Sequence, residues 1–283
     1  MKIIRTIAEI RTAVSETRAS GGSIGLVPTM GAFHEGHLSL IRAARAQNEL
    51  VVVSLFVNPT QFGANEDLGS YPRDEEGDAR LAREAGADVL LAPPASEVYP
   101  DGFATTVHVS GVTDVLCGAV RGPGHFDGVA TVVAKLFGIV APDSAYFGQK
   151  DAQQVVVVRR MVRDLNIRVR IEACPIVRDP DGLAMSSRNA YLDAASRKQA
   201  TALNRALDAA EALVRSGERR AGPVLAAARG VLVGAGIDPE YVELRDPDDL
   251  GALDEIGDRS LLAVAARVGT ARLIDNRILE GDR

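Results

Sequence analysis

A chain of 283 residues, 46% hydrophobic and 25% charged, is long enough for about two domains and apolar enough to bury a core, which excludes disorder over most of its length. Its 32 basic and 38 acidic residues leave a formal charge of −6 with no conspicuous run of Lys or Arg. That excludes a general nucleic-acid binder held by phosphate neutralisation, but not a local site for a small anion. Cys117 and Cys174 belong to no CxxC pair, so neither a disulfide scaffold nor a cysteine zinc site is supported. Arg5, Glu9 and Arg11 interrupt the N-terminus before a signal-peptide core can develop, and apolar stretches such as Leu50 to Val57 fall far short of the roughly 20 residues of a bilayer span. The expectation is a soluble, cytoplasmic protein.

Residues 6–20 read as a helix, with Ile7, Ile10 and Val14 at helical spacing and Gly21-Gly22 as the stop. Ile24 to Val27 reads as a buried strand, followed by a loop and a helix from about His37 to Gln47. Leu50 to Val57 is the clearest strand, closed by Asn58-Pro59. Asp74 caps a predicted helix ending near Gly86, and Asp88 to Leu91 is the next strand. Helices are predicted over 128–140 and 151–165, and strands over 144–147 and 169–173.

Strands separated by helices imply parallel pairing with crossover connections, so the expected class is α/β, a doubly wound, Rossmann-like parallel sheet. Ligands of such sheets sit beyond the carboxyl ends of the strands, which places the loops after Val27, Val57 and Phe147 on one rim. After about residue 176 the pattern changes to two Ala-rich helices (193–216 and 221–235) and strands at 240–245, 260–267 and 271–278. The expected division is therefore 1–176 and a smaller C-terminal α+β domain, 177–283, packed directly against it.

The densest chemical signal is Pro28-Thr29-Met30-Gly31-Ala32-Phe33-His34-Glu35-Gly36-His37, between the first predicted strand and a helix. Orphan backbone N–H groups and the positive helix end favour an anion there, and the glycines would let backbone approach it. His34 and His37, three apart, project to one side of the turn and can donate to phosphoryl oxygens. An isolated HxGH is equally compatible with exposed histidines, and a metal pair is a further reading that lacks a third ligand. Lys150, in Tyr146-Phe147-Gly148-Gln149-Lys150-Asp151, is a point charge able to reach phosphate, with Asp151 as a candidate helix cap. Met185-Ser186-Ser187-Arg188-Asn189 offers hydroxyls and a guanidinium on a segment suited to close over a polyphosphate, although alone it reads as a turn. Phe56 to Phe62 and the Gln153-Gln154 pair carry amides suited to a hydroxy acid. No GxxxxGK[ST] loop or GxSxG elbow is present, and Gly122 to Gly128 only superficially resembles a dinucleotide fingerprint.

In order along the chain, PTMGAFHEGH (28–37), FVNPTQFG (56–63), YPRD (71–74), GPGHFDGVATVV (122–133), YFGQKDAQQ (146–154) and MSSRN (185–189) closely resemble the pantoate–β-alanine ligase family of HIGH-motif nucleotidyltransferases. The resemblance implies activation of pantoate by ATP, with Mg²⁺, to pantoyl adenylate and pyrophosphate, then attack by the amine of β-alanine to give pantothenate and AMP. It implies nucleotide contacts at Met30, Gly31, Ala32, Phe33, His34, Glu35, Gly36 and His37, at Gly148, Gln149, Lys150 and Asp151, and at Val177, Met185, Ser186, Ser187 and Arg188. Gln61 and Gln154, with Asn58 and Tyr71, fall at the pantoate and β-alanine positions. His37, His34, Lys150 and Arg188 fall at the catalytic ones, and a homodimer with a C-terminal lid is implied as well. Gln149 and Ala152 depart from residues common in the family, and no acidic Mg²⁺ ligand can be assigned. Nucleotidyl transfer to another acceptor and a nucleotide-binding regulator are the competing readings.

Overall fold

The computed structural model describes residues 1–63 and 68–281. A six-stranded, wholly parallel sheet is built from β1 (Lys2–Ile4), β2 (Ile24–Thr29), β3 (Leu50–Leu55), β4 (Val89–Leu91), β5 (Ser144–Gly148) and β6 (Arg170–Cys174), in the order β1-β4-β3-β2-β5-β6. From β2 the chain winds outward through β3 and β4 on one side, then returns to place β5 and β6 on the other. Strand order therefore reverses between β2 and β5, and a crevice opens beyond their carboxyl ends.

Both faces of the sheet are covered, which is why β3 reads as a continuous apolar run. On one face α2 (Glu35–Arg45) sets Leu40, Ile41 and Ala44 against Val27, Val51, Val53 and Tyr146, joined by Ala79 and Ala82 of α3 (Glu75–Glu84). On the other, α1 (Ile7–Ala19), α6 (Pro123–Val140) and α7 (Ala152–Asp164) pack Ile10, Val133 and Val156 against Ile24, Leu26 and Val52. The short helices α4 (Ala95–Val98) and α5 (Leu116–Arg121) lie in the long connection from β4 to α6.

Downstream, α8 (Ala194–Ala200), α9 (Ala202–Arg215) and α10 (Ala221–Gly234) precede an antiparallel sheet of β7 (Pro239–Arg245), β8 (Ser260–Val268) and β9 (Ala271–Leu279). Alternation along β8 explains how this sheet joins the rest. Leu262, Val264 and Ala266 pack with α9 and α10, whereas Leu261, Ala263 and Ala265 belong to the core of the large sheet.

Several elements differ from the sequence expectation. The three-residue β1, too short to show periodicity, pairs with β4 at the sheet edge. The helix expected from residue 128 starts at Pro123, a residue tolerated at the first helical position, after Gly122 turns at φ 84°. The helix expected over 193–216 is two, because the chain breaks at Thr201, whose Oγ1 donates to the Lys198 carbonyl at 2.8 Å. Strand β3 ends at Leu55, and Pro59–Gln61 forms a 3₁₀ turn.

That turn lies directly on α6. A Cβ at Gly128 would fall 2.5 Å from the Thr60 carbonyl oxygen and 2.6 Å from the Gln61 nitrogen, so only glycine permits the contact. Gly124, one turn earlier, has open space at its Cβ position. Gly128→Ala is therefore expected to lower stability by about 1–3 kcal/mol in urea unfolding, with Gly124→Ala much less affected; equal midpoints for the two variants would contradict the packing argument.

Candidate active site

A cavity of about 240 Å³ occupies the crevice beyond β2 and β5. β2 contributes Thr29 and the adjoining Met30, and the start of α2 contributes His34, Gly36 and His37. Asn58 and Gln61 come from the loop after β3, and Gly148, Lys150, Asp151 and Gln154 from the passage of β5 into α7. Tyr71, Val177, Met185, Ser186, Ser187 and Arg188 complete this part of the wall. The large majority of the residues singled out from the sequence thus share one cavity.

Gly31, Ala32, Phe33, Glu35 and Gln149 do not line it. The chain turns through positive φ at Gly31 (89°) and Ala32 (54°), and the buried Asp78 carboxylate accepts from Ala32 N at 2.9 Å and Phe33 N at 2.7 Å. Those two amide donors are engaged by the protein, not left open for an anion. A Cβ at Gly31 would meet Leu55 Cδ1 at 2.7 Å and Asp78 Oδ2 at 2.8 Å, so this glycine serves loop packing. Gly36 also has an internal reason. His34 Nδ1 accepts from Gly36 N at 3.1 Å and caps α2, and a Cβ on Gly36 would lie 2.8 Å from that ring. Each glycine therefore has a packing reason of its own, beside the expected one of admitting phosphate. Glu35 pairs with Arg42 on the surface, and Gln149 turns toward Asn276.

The cap fixes the chemistry of His34. Its Nδ1 is an acceptor, so in the neutral ring the proton sits on Nε2 and can be donated. The His34 and His37 ring centroids are 4.2 Å apart. Burial, aided by the charge of Lys150, pushes His34 down to about 4. Burial, aided by His34 and Lys150, pushes His37 down to about 3. Near neutral pH both imidazoles are uncharged. His37 Nδ1 is shielded from solvent and has no hydrogen-bond partner among the described residues.

Sequence reasoning missed the supports of this machinery. Asp78, 45 residues from Phe33, is one carboxylate in an acidic helix and gives no sequence signal of its own. His125 Nδ1 lies 2.9 Å from the Gln61 carbonyl oxygen and its Nε2 lies 2.8 Å from Arg121 Nη1. Arginine can only donate, so in the neutral tautomer His125 donates from Nδ1 and holds the Gln61 backbone. Asn58, 1% exposed, donates to Gln61 Oε1 at 3.1 Å and accepts from Tyr99 at 2.8 Å. The Gln61 amide is thereby oriented, with its oxygen engaged and its nitrogen 3.2 Å from Met30 Sδ. Gln153, the neighbour of Gln154, is instead a buried strut that accepts from Cys117 N and donates to the Val112 and Val115 carbonyls. Tyr71 OH lies 3.3 Å from Ser187 Oγ, and the Arg188 guanidinium sits 6.0 Å from the Tyr71 ring centroid. Val129, Val132, Val133 and Leu136 of α6 form an apolar wall at the third and fourth spacings of one helix face.

The cleft continues past Lys150, Gln154, Ser186 and Arg188 into a second cavity of about 460 Å³ beneath the C-terminal sheet, where Tyr241, Arg272 and Asn276 face it. Among the described residues, no group of three or more His, Cys, Asp and Glu side chains could hold a metal ion. Among the described residues, Asp151 is the carboxylate on the wall of the first cavity.

Comparison with known proteins agrees with this geometry. Residues 2–278 match the family model described as pantoate-beta-alanine ligase. The chain is 54% identical over 281 residues to a pantothenate synthetase of Moorella thermoacetica, covering 99% of each chain. It is likewise 54% identical to a pantothenate synthetase of Roseiflexus castenholzii, covering 99% of this chain and 100% of the relative. Among solved structures, pantothenate synthetase from Thermus thermophilus superimposes with a TM-score of 0.93 at 48% identity, covering 98% of this chain and 99% of that one. The Francisella tularensis pantoate-beta-alanine ligase, complexed with beta-gamma ATP and beta-alanine, gives a TM-score of 0.79 at 33% identity, covering 98% and 97%. The fold, the convergence of motifs on one cleft and similarity over almost the whole length agree: the chain belongs to the pantoate–β-alanine ligase family.

Proposed function

We propose that both half-reactions of pantoate–β-alanine ligation run in this single cleft, with the following division of labour. A free carboxylate is a poor acyl donor because its leaving group would be oxide. In the first step the pantoate carboxylate attacks the α-phosphorus of ATP; an O–P bond forms, the bond to the bridging oxygen breaks, and pyrophosphate departs. In the second, the neutral amine of β-alanine attacks the acyl carbon, the acyl–O bond to AMP breaks, and the nitrogen gives up a proton. No covalent enzyme intermediate is needed.

The first step brings one anion onto another, and the cationic side of the cleft answers that repulsion. Lys150 and Arg188 supply fixed positive charge. His34, donating from Nε2, and His37 supply neutral N–H donors, and a phosphate beside them raises their proton affinity as charge develops. His37 is the proton donor in this reading. Gly36 holds the cap that aims His34, while Gly31, Ala32, Phe33 and Glu35 act by setting the loop, as Gln149 sets the turn before α7. Met30, Gly148, Val177 and Met185 contact the nucleotide, and Ser186 and Ser187 offer hydroxyls to its polyphosphate on a segment that closes over it. Gln61 and Gln154 hold pantoate, the amide donating to carboxylate and accepting from hydroxyl. Asn58 and Tyr71 orient these contacts, and the apolar face of α6 takes the branched carbon body of the acid. Convergence of the β2 and β5 ends, the 185–188 segment and that apolar wall on one cavity carries this assignment.

Mg²⁺ arriving on ATP would add positive charge at the phosphates. The described residues fit an ion held mainly by phosphate oxygens and water, with Asp151 as the carboxylate available among them. We read the chain as a cytoplasmic homodimer, on the strength of its whole-length resemblance to the family. Its residues 1–176 carry ATP and pantoate, and 177–283 act as a lid. Among the described residues no helix is long and apolar enough to cross a membrane.

Pantoate-dependent exchange of pyrophosphate into ATP, followed by AMP release on adding β-alanine, is the expected activity; a stable nucleotidylated product instead of AMP would point to another acceptor. His37→Ala and Lys150→Ala should each slow adenylation by on the order of 10²-fold or more, and near-wild-type single-turnover rates would remove those roles. The depressed histidines also set a stability profile. Both lie below their ordinary value near 6.5, so on acidification the unfolded chain takes up protons first. Their contribution is complete above pH 6.5 and declines as pH falls toward 4 and then 3, by up to about 1.4 kcal/mol per pH unit for each imidazole. Urea unfolding from pH 7 to 4 should show a shallower decline in a His34→Asn/His37→Asn double variant; parallel profiles would refute the burial argument.

A further inference from the structure

Lys150 stands in a 3₁₀ turn of three residues, Gln149–Asp151, with no side-chain cap at its N-terminal end. Its ammonium rides on a flexible four-carbon stem, so where it points depends first on how that short backbone turn is held. The hold comes from the other end of the chain. Asn276, on β9 and 3% exposed, donates from Nδ2 to the carbonyls of Gln149 at 2.9 Å and Lys150 at 3.0 Å. Its Oδ1 lies 3.3 Å from Gln149 Nε2, the donor. Both N–H groups and the oxygen of this buried amide are therefore engaged on one turn.

The preceding residue holds another segment of the wall. Asp275, 2% exposed, takes Arg178 in a bidentate pair at 2.6 and 2.9 Å. Arg178 also donates to Gly182 O at 3.1 Å across the hairpin that Met185 N closes onto Val177 O at 3.0 Å. Two successive residues of one strand thus hold two segments that line the cleft, and the strand is itself fixed by nine paired positions with β8.

We propose that Asn276 is a positioning residue for Lys150: its amide sets the Gln149–Asp151 turn so that the ammonium faces the phosphates during adenylation. The inference rests on the ligase reading above and adds to it that the C-terminal sheet contributes to the rate of the first half-reaction without touching substrate. A displacement of about 1 Å in a charge that acts on the transition state is enough to cost up to 10²-fold in rate. Asp at this position has nearly the same shape, keeps an acceptor for Gln149 Nε2, and sets a carboxylate against two carbonyl oxygens. It therefore tests the donors rather than the volume.

The experiment is a double-mutant cycle in pantoate-dependent ATP–pyrophosphate exchange, with Asn276→Ala and Asn276→Asp each made in wild-type and Lys150→Gln backgrounds. With Lys150 present, both changes should lower kcat by about 10-fold or more and leave the pantoate KM within about 3-fold; with Lys150→Gln they should cost less than about 2-fold. Asn276→Ser retains one donor and should fall between; it replaces Asn276→Ala if that variant does not fold. Unchanged kcat in the Asn276 variants, or equal losses in the two backgrounds, would overturn the proposal. Absence of exchange in folded wild-type protein would instead overturn the ligase reading on which it stands.

Discussion

Electrostatic repulsion between a carboxylate and a nucleoside triphosphate is the constraint around which this structure is organised. The chain is acidic as a whole, with a net charge of −6, so the attraction needed to bring two anions together has to be local. The fold supplies a place for it where strand order reverses between β2 and β5. Lys150 and Arg188 both line the cavity there. In the proposed mechanism the histidines contribute differently from the cations: burial keeps them neutral, and they would act as hydrogen-bond donors whose proton affinity rises with the charge they face. A neutral pair also avoids adding two buried charges next to Lys150.

The same cleft shows how much of a catalytic constellation consists of residues that hold other residues in place. Asp78 fixes the loop before α2, His125 and Asn58 fix Gln61, and Asn276 fixes the turn of Lys150. Each uses a buried or half-buried hydrogen bond to a backbone or amide group, and such a bond is costly to leave half made. Precision in the functional side chains is thereby inherited from the rigid sheet and its helices. In the proposed mechanism the apolar face of α6, which lines the cavity, takes the complementary task of excluding water from the acyl group.

Much of this is legible in the sequence, for identifiable reasons. Alternation of β-branched runs with helical periodicity specifies the parallel sheet, and the change of texture after residue 176 anticipates the antiparallel one. His34, His37, Lys150 and the 185–188 segment are visible because each sits at a strand end or turn with several polar residues in a few positions. What escapes is either too short or too distant. Three residues of β1 carry no period, and Thr201 breaks a helix in an otherwise uninterrupted Ala-rich stretch. Asn276 is 126 positions from the carbonyl of Lys150 that it supports, a link that only tertiary structure makes. The glycines are visible, but their packing reasons are not: at Gly31 and Gly36, Leu55, Asp78 and the His34 ring occupy the space a Cβ would need.

The most direct test of the central claim is a crystal structure with a non-hydrolysable ATP analogue and pantoate bound together. The account predicts the α-phosphate between the carboxylate of pantoate and the side chains of His37 and Lys150, each within hydrogen-bond reach, with Arg188 drawn onto the polyphosphate and the carbon body of pantoate against α6. A triphosphate seated away from both His37 and Lys150, with pantoate outside the α6 wall, would contradict it.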